Sequence, residues 1–345
     1  MSCLPTGPHT LLVFAALACA TFLARAQSAA EPPRLVITAA RVEQSLADAV
    51  PSTRVISRAE IAALQPPDLA GLLRVLTSID VAQAGPLGSQ TSLFLRGADS
   101  RQVLALVDGV PLMRADFGTA SWQSVPVEQI ERVEIVRGNL SALYGAQAVG
   151  GVVQIVTRHA PGAQASASIG SQGTAAVALA GGGQLAGGDT RISASLTSRR
   201  TDGYSARDAA VDPGANPDRD AGRQAAASAQ LEQVWAPGHR TRFNLLASRT
   251  RSGYDGFTPG LDDVLTTHTD TAGLNSRHAL AADLTLTVDL GQSRERFDDP
   301  TGYVAHGDSR VRLTGLQLAW QASPAHEWQV GAEAKQEHFG DTATP

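Results

Sequence analysis

Cysteine is nearly absent: the 345-residue chain holds two, Cys3 and Cys19, both within its first 20 positions. Everything that follows lacks a thiol, so disulfides and thiolate metal centres are excluded as sources of stability or chemistry. Long apolar runs are missing after Leu23. None approaches the ~20 residues a spanning helix needs, which excludes a helical membrane protein. A β-barrel is not excluded, because its strands alternate apolar and polar residues and average to ordinary hydropathy. Charge is also scarce: the net value of −5 is too small to imply a nucleic-acid partner. No catalytic pattern stands out. Ser141 in GNLSALYG lacks the nucleophile-elbow pattern, and the eight histidines form no ligand pair at helical spacing. An enzyme is not expected.

What is present begins with the apolar stretch Leu11 to Leu23, followed by Ala24-Arg25-Ala26. This reads as a secretory signal peptide, residues 1–26, cut before Gln27, although the usual positive n-region is missing. The alternative is an N-terminal membrane anchor. The segment EPPRLVITAARVEQ, Glu31 to Gln44, follows. Its Leu35-Val36-Ile37-Thr38 core has β-branched strand composition, yet no hairpin turn or partner strand follows nearby.

Residues 42–158 read as a compact α/β mixture. Arg58 to Leu64 is a short helix stopped by Pro66-Pro67. Asp68 caps a second, Leu69 to Thr77, with leucines 69, 72, 73 and 76 at helical spacing. Strands are expected over Ser92–Leu95, Val103–Val107, Arg132–Val136 and Val152–Val156, with a turn at Asp108-Gly109.

From about Ala165 the pattern changes. Leu280 to Leu290 alternates strictly, with Leu280, Ala282, Leu284, Leu286, Val288 and Leu290 on one face. That is the length of a tilted transmembrane strand, about 9–11 residues. Trp328 to Lys335, Arg191 to Ser198 and Arg242 to Ser248 repeat it. Long polar stretches at 201–223 and 251–276 read as loops. The expected fold is an α+β domain followed by part of an antiparallel transmembrane β-barrel. A soluble β-sandwich is the alternative. Residues 165–345 hold roughly seven or eight strands at ~10 residues each. The larger outer-membrane barrels close with up to about 22 or more, so the barrel reads as incomplete and the chain as truncated.

Three stretches together carry a family signature: RLVITAARVEQ, TSLFLRGADSRQVLALVDGVPL (Thr91 to Leu112) and VEQIERVEIVRGNLSALYGAQAVGGVVQIVTR (Val127 to Arg158). They resemble the plug region of TonB-dependent outer-membrane receptors. The resemblance covers residues 34–158 nearly without interruption and continues more thinly to about residue 270. It implies a periplasmic tail over residues 27–41, a plug domain over 42–158 and the first part of an outer-membrane β-barrel over 159–345. It also implies energy-coupled uptake of a small-molecule ligand, a corrinoid such as cobalamin, across the outer membrane of a Gram-negative cell. Ferric siderophores are the alternative cargo, and a non-transporting plug-containing fragment is the alternative product. The partners implied are periplasmic TonB, the ligand and outer-membrane lipid.

Residue by residue, the resemblance makes Arg34, Leu35, Val36, Ile37, Thr38 and Ala39 a TonB box that adds as an edge strand to TonB's sheet. Pairing of Leu35 to Thr38 inside the plug is the alternative. It places Ser92, Asp99, Phe117 and Gly118 against the ligand, with Gln90 close by. The order TDGY…DRD…YDG…LDD implies Ca²⁺ in extracellular loops, held by Asp218, Asp220, Tyr254, Asp255 and Asp262 or Asp263. Such oxygen donors suit a hard cation that takes about 6–8 of them. Ser205 stands where the family pattern has an aspartate. Arg96 and Arg137, each preceding a glycine at a strand end, are expected to pair with carboxylates of the barrel wall.

Overall fold

The computed structural model describes residues 36–37, 44–45, 52–208, 210–212, 216–256, 263–302, 304–323 and 326–341. The expected signal peptide, with both cysteines, lies outside the described residues. Two short strands, β1 (Val36–Ile37) and β2 (Gln44–Ser45), form a two-stranded sheet.

Strand β3 (Thr53–Ser57) runs directly into helix α1 (Arg58–Leu64). Ser57 and Glu60 form a reciprocal cap. The Glu60 backbone N–H donates to Ser57 Oγ at 3.3 Å, and the Ser57 N–H donates to Glu60 Oε2 at 2.8 Å. Gln65 closes the helix at φ +48°, and Pro66-Pro67 cannot continue it. Asp68 Oδ1 then accepts the Gly71 N–H at 2.7 Å and starts α2 (Leu69–Leu76). Both helices lie where the sequence places them.

Strands β4 (Asp80–Gln83) and β5 (Thr91–Phe94) pair as a hairpin. Strands β6 (Val103–Val107) and β7 (Val110–Pro111) are joined by Asp108-Gly109, both at positive φ as a tight two-residue turn requires. After β8 (Ile130–Arg137) and the single turn α3 (Ser141–Tyr144), β9 (Gly151–Thr157) completes a sheet of order β3-β8-β9-β6-β7. β9 lies antiparallel to β8 and parallel to β6. Gly151, at φ +147°, admits no side chain: a Cβ there would overlap the Val136 carbonyl and sit 2.6 Å from Leu95 Cδ2. The core joins helix residues Ile61, Leu69, Leu72 and Leu73 to sheet residues Ile56, Val133, Ile135, Val153 and Ile155. Each such side chain, fully buried, contributes about 1.5–3 kcal/mol.

Nine further strands form one antiparallel sheet in sequence order. They are β10 (Gly162–Ile169), β11 (Ala175–Gln184), β12 (Thr190–Thr201), β13 (Gly222–Ala236) and β14 (His239–Tyr254). β15 (Asp263–Ala281), β16 (Leu284–Asp298), β17 (His306–Ser323) and β18 (His326–Asp341) follow.

Three expectations are corrected. Among the described residues the wall has nine strands, not seven or eight, and they reach 19 residues in β15. The polar stretch 251–276 is mostly strand, with β14 running to Tyr254 and β15 starting at Asp263. The alternating run Leu280–Leu290 is not one strand: Ala282-Asp283 is a two-residue turn between β15 and β16. A turn of even length preserves the alternation and so hides in it.

The two faces of this wall differ. Inward positions are small and polar, such as Ser193, Ser195, Thr197, Ser228 and Asn244, and are buried by the plug. Outward positions such as Leu196, Leu231, Leu245, Leu290 and Leu316 are exposed. A polar interior with an apolar exterior is the reverse of a soluble sandwich and is the polarity of an outer-membrane barrel. No described helix is long and apolar enough to cross a membrane.

From Ile37 onward plug and wall belong to one unit. Leu246 of β14 enters the plug core. Gln129, fully buried, binds atoms of two wall strands, β12 and β13. Its Oε1 accepts from Ser228 Oγ at 2.7 Å and from Ser195 Oγ, while Nε2 donates to the Ala226 carbonyl at 3.2 Å. Glu128 beside it pairs with Arg199 of β12. The expected wall pairing of Arg96 and Arg137 is not seen: among the described residues neither meets a carboxylate, and Arg137 Nε has no hydrogen-bond partner. Arg137 lies instead near Arg54 and Arg96. The plug is tied to these nine strands through Glu128, Gln129 and the loops described next.

Candidate functional site

The wall has a short-turn end, with the Ala282-Asp283 turn, and an opposite end where residues 202–208, 216–221, 255–256 and 299–302 lie outside the strands. Two plug loops reach that opposite end. Loop 84–90 meets β14 there, with Ser89 Oγ 3.4 Å from Ser252 Oγ. Gly88, at φ +90°, lies so close to Thr250 and Ser252 that a Cβ would be 3.2 Å from Ser252 Cβ.

Loop 113–119 is built around Arg114. The Arg114 N–H donates to the Thr119 carbonyl and the Gly118 N–H to the Arg114 carbonyl, each at 2.9 Å, with Gly118 at φ +64°. The Arg114 guanidinium grips Asp116 through Nη2 to Oδ2 at 2.6 Å and Nε to Oδ1 at 3.1 Å. It also lies 3.8 Å from Glu295 of β16, 4.1 Å from the Phe297 ring centroid and 4.9 Å from that of Phe117. The Ala115 N–H donates to Ser309 Oγ of β17 at 2.8 Å. Phe297 in turn stacks on Phe339 at 6.5 Å. Phe117, 60% exposed, is thus presented from a loop clamped to the wall.

The structure brings Phe117 and Gly118 together on that loop. Ser92 is half-buried in β5, paired with Ala82. Asp99 is exposed and caps the turn Ser100–Gln102, accepting from the Arg101 N–H and Nε, both at 2.9 Å. The Arg101 hydrogen bonds hold the Asp99 carboxyl below its usual range. Gln90 is exposed, and its carbonyl accepts the Ala84 N–H at 3.0 Å. Arg114 and its wall partners were missed in the sequence. The R-x-D spacing next to Phe117 was visible, but partners about 180–195 residues downstream are not readable from a period or motif.

Of the expected TonB box, Val36 and Ile37 form β1; Arg34, Leu35, Thr38 and Ala39 lie outside the described residues.

The acidic residues converge at the same end. Asp218, Asp220 and Asp255 each present an oxygen within 4.8 Å of the others. Asp220 is 3% exposed, and its Oδ2 accepts the Ala206 N–H at 2.8 Å. Asp255 accepts the Arg207 N–H at 3.3 Å and the Asn216 N–H at 3.2 Å. These carboxylates bridge loop 202–221 to the end of β14. Tyr254 turns elsewhere, donating its hydroxyl to Asp299 Oδ1 at 2.6 Å, and Asp262 lies outside the described residues. Asp263, its alternative, is 2% exposed with an Oδ1 that lacks a hydrogen-bond partner. Burial pushes Asp299 above the usual carboxylate range. Ser205 Oγ donates to the carbonyls of Arg207 at 2.7 Å and Asn216 at 3.1 Å, pinning the loop where a carboxylate was expected. The three convergent carboxylates of Asp218, Asp220 and Asp255 are an oxygen donor set of the kind that suits a hard divalent cation.

The family model of the TonB-dependent receptor plug domain matches residues 45–152. A vitamin B12 transporter of Photobacterium profundum is 36% identical over 179 residues, covering 50% of this chain and 29% of that protein. One of Vibrio vulnificus is 42% identical over 132 residues, 38% of this chain and 22% of that one. The chain therefore spans under a third of the length of these relatives. Among solved structures, a ferric enterobactin receptor mutant from Pseudomonas aeruginosa superposes with TM-score 0.70 at 18% identity, over 90% of this chain and 52% of that one. The ferric yersiniabactin uptake receptor of Yersinia pestis gives 0.61 at 19%, over 85% and 50%. At those identities the likeness is one of fold.

Proposed function

Because the chain carries the plug of a TonB-dependent receptor and part of its outer-membrane barrel, we propose that it serves energy-coupled uptake of cobalamin. The observation that carries the cargo is identity of 36–42% to vitamin B12 transporters in the matched region. The siderophore receptors resemble the chain in fold alone.

In this reading the ligand arrives at the end opposite the short turns and meets Ser92, Asp99, Phe117 and Gly118. Phe117 offers a flat apolar face on a loop held by Arg114, so little ordering remains to be done on binding. Asp218, Asp220 and Asp255, with Asp262 or Asp263, hold Ca²⁺, which when bound neutralises their mutual repulsion and locks the outer loops. TonB binds the segment Arg34 to Ala39 on the periplasmic side by strand addition and supplies the energy.

The test is binding of labelled cobalamin to the protein in outer-membrane vesicles, against ferric enterobactin as competitor. Saturable cobalamin binding that the siderophore does not displace supports the reading. Siderophore binding without cobalamin binding overturns the cargo.

A further inference from the structure

Two histidines meet on the outward face of the wall at its short-turn end. His239 opens β14 and His278 lies near the end of β15, and the register sets them directly opposite each other. His239 is an even number of residues from outward Leu245, so the pair stands on the outer face. The rings are tilted by 47° with centroids 5.4 Å apart, so that edges meet rather than faces. Nδ1 of His239 lies 3.2 Å from Nδ1 of His278. Helical spacing cannot show this pair, whose members lie 39 residues apart in sequence.

That separation fits a shared ion. With zinc–imidazole bonds of about 2.0–2.1 Å, two nitrogens 3.2 Å apart subtend roughly 100° at the metal, close to the tetrahedral angle. A neighbour on the same face orients one ring. Ser276 Oγ lies 2.8 Å from His278 Nε2 and 2.8 Å from Thr241 Oγ1, to which Trp235 Nε1 donates at 3.0 Å. With the proton on Nε2 donated to Ser276, His278 aims the lone pair of Nδ1 at the gap between the rings. Ligating histidines are ordinarily held through their second nitrogen in this way.

The donors name the class of ion. The residues opposite the pair on the flanking strands, Ala236 and Leu286, carry no charge. Imidazole donors without a carboxylate select a borderline transition metal over Ca²⁺. The position gives such an ion something to do. At this end β14 turns back to β13 through Pro237-Gly238, and β15 runs on to β16 through Ala282-Asp283. No turn joins β14 to β15 here, so a shared ion ties two strands that the chain leaves unconnected at this end.

We propose that His239 and His278 chelate a divalent transition-metal ion of the Zn²⁺ or Cu²⁺ kind, with Ser276 as a positioning residue, and that the ion staples β14 to β15. The inference is independent of the cargo and of the Ca²⁺ assigned to the acidic loops.

The experiment uses the full-length protein purified from outer membranes, stripped of transition metals and kept in excess Ca²⁺. Zn²⁺ affinity is read by competition with a chromogenic chelator. Ser276→Ala should weaken Zn²⁺ binding about tenfold, within the range for a side chain that orients a ligand, and His239→Gln/His278→Gln should weaken it further. Equal affinity in wild type and the double variant overturns the metal site; unchanged affinity in Ser276→Ala overturns the positioning role. Zn²⁺ should also raise the unfolding temperature of wild type and not of the double variant, and no difference between them overturns the staple. Electron paramagnetic resonance of bound Cu²⁺ reads the donors directly. Wild type should show coupling to two imidazole nitrogens, and coupling to one or none overturns the proposal. Should the double variant fail the heat-modifiable mobility test for a folded barrel, that spectrum decides alone.

Discussion

The guanidinium of Arg114, on a plug loop, lies 4.1 Å from the ring centroid of Phe297, on the wall. With Asp116 and Glu295 completing its surroundings, this contact fixes the loop that presents Phe117. A plug must be held firmly enough to seal a barrel and loosely enough to move. The position of this cation sets part of that balance.

A double-mutant cycle measures it. Arg114→Ala and Phe297→Leu should couple by about 1 kcal/mol in urea unfolding, the range of a partly desolvated cation–π contact. Purely additive effects would mean that the two side chains are neighbours without being partners.

Gln129 offers a second handle. Gln129→Leu keeps the volume but removes the Oε1 acceptor that Ser195 and Ser228 share, leaving the two buried hydroxyls only each other at 3.0 Å. The expected cost is about 1–3 kcal/mol, the penalty for one orphaned buried donor. Faster hydrogen exchange in β8, relative to wild type, is the reading to look for.

Asp108 ties the β6–β7 turn to β9 by accepting from the Thr157 N–H at 3.0 Å and Oγ1 at 2.6 Å. Burial raises its pKa above the ordinary carboxylate range. The folded state then holds this proton more firmly than the unfolded state does. Stability therefore falls as pH rises from about 3.9, the unfolded value, through the raised folded one. Asp108→Asn, which tolerates the residue's φ of +48°, should flatten that slope in unfolding titrations. An identical slope would place the titration elsewhere.

For the cation site, Ser205→Asp should add an oxygen ligand while removing the donor to the Arg207 and Asn216 carbonyls. Calorimetry is expected to show tighter Ca²⁺ binding. Limited proteolysis with chelator present should show a looser 202–221 loop than in wild type. If calcium neither binds nor protects that loop in either protein, the cation assignment is wrong.

Val36→Pro removes a backbone donor from β1. Energised uptake should be lost, with cobalamin binding at wild-type level. Undiminished uptake would move the TonB contact to another segment.

How much of this was legible beforehand differs by region. The plug announces itself because its helices have local signals, Ser57 and Asp68 as caps and Pro66-Pro67 as a stop. The wall strands are legible in their apolar middles but not at their ends. Around β14 and β15 the strands extend beyond the apolar band, where Arg249, Arg251 and Thr266 to Thr271 face water or the lumen and lose the alternation. The three aspartates of the cation cluster could be proposed from their order in the chain. The hydroxyl partner of Tyr254 could not be read, since Asp299 lies 45 residues on. Register across strands decides that.

The order of the plug sheet has a consequence for assembly. Its last strand in sequence, β9, occupies the middle, between β8 and β6. Without residues 151–157 the sheet falls into two separate hydrogen-bonded pieces, β3–β8 and β6–β7. The wall, by contrast, grows one neighbouring hairpin at a time. A chain emerging from its N-terminus therefore gains no closed plug sheet until its keystone arrives, only a few residues before the first wall strand begins. Plug closure is a single late event, and everything after it is zippering.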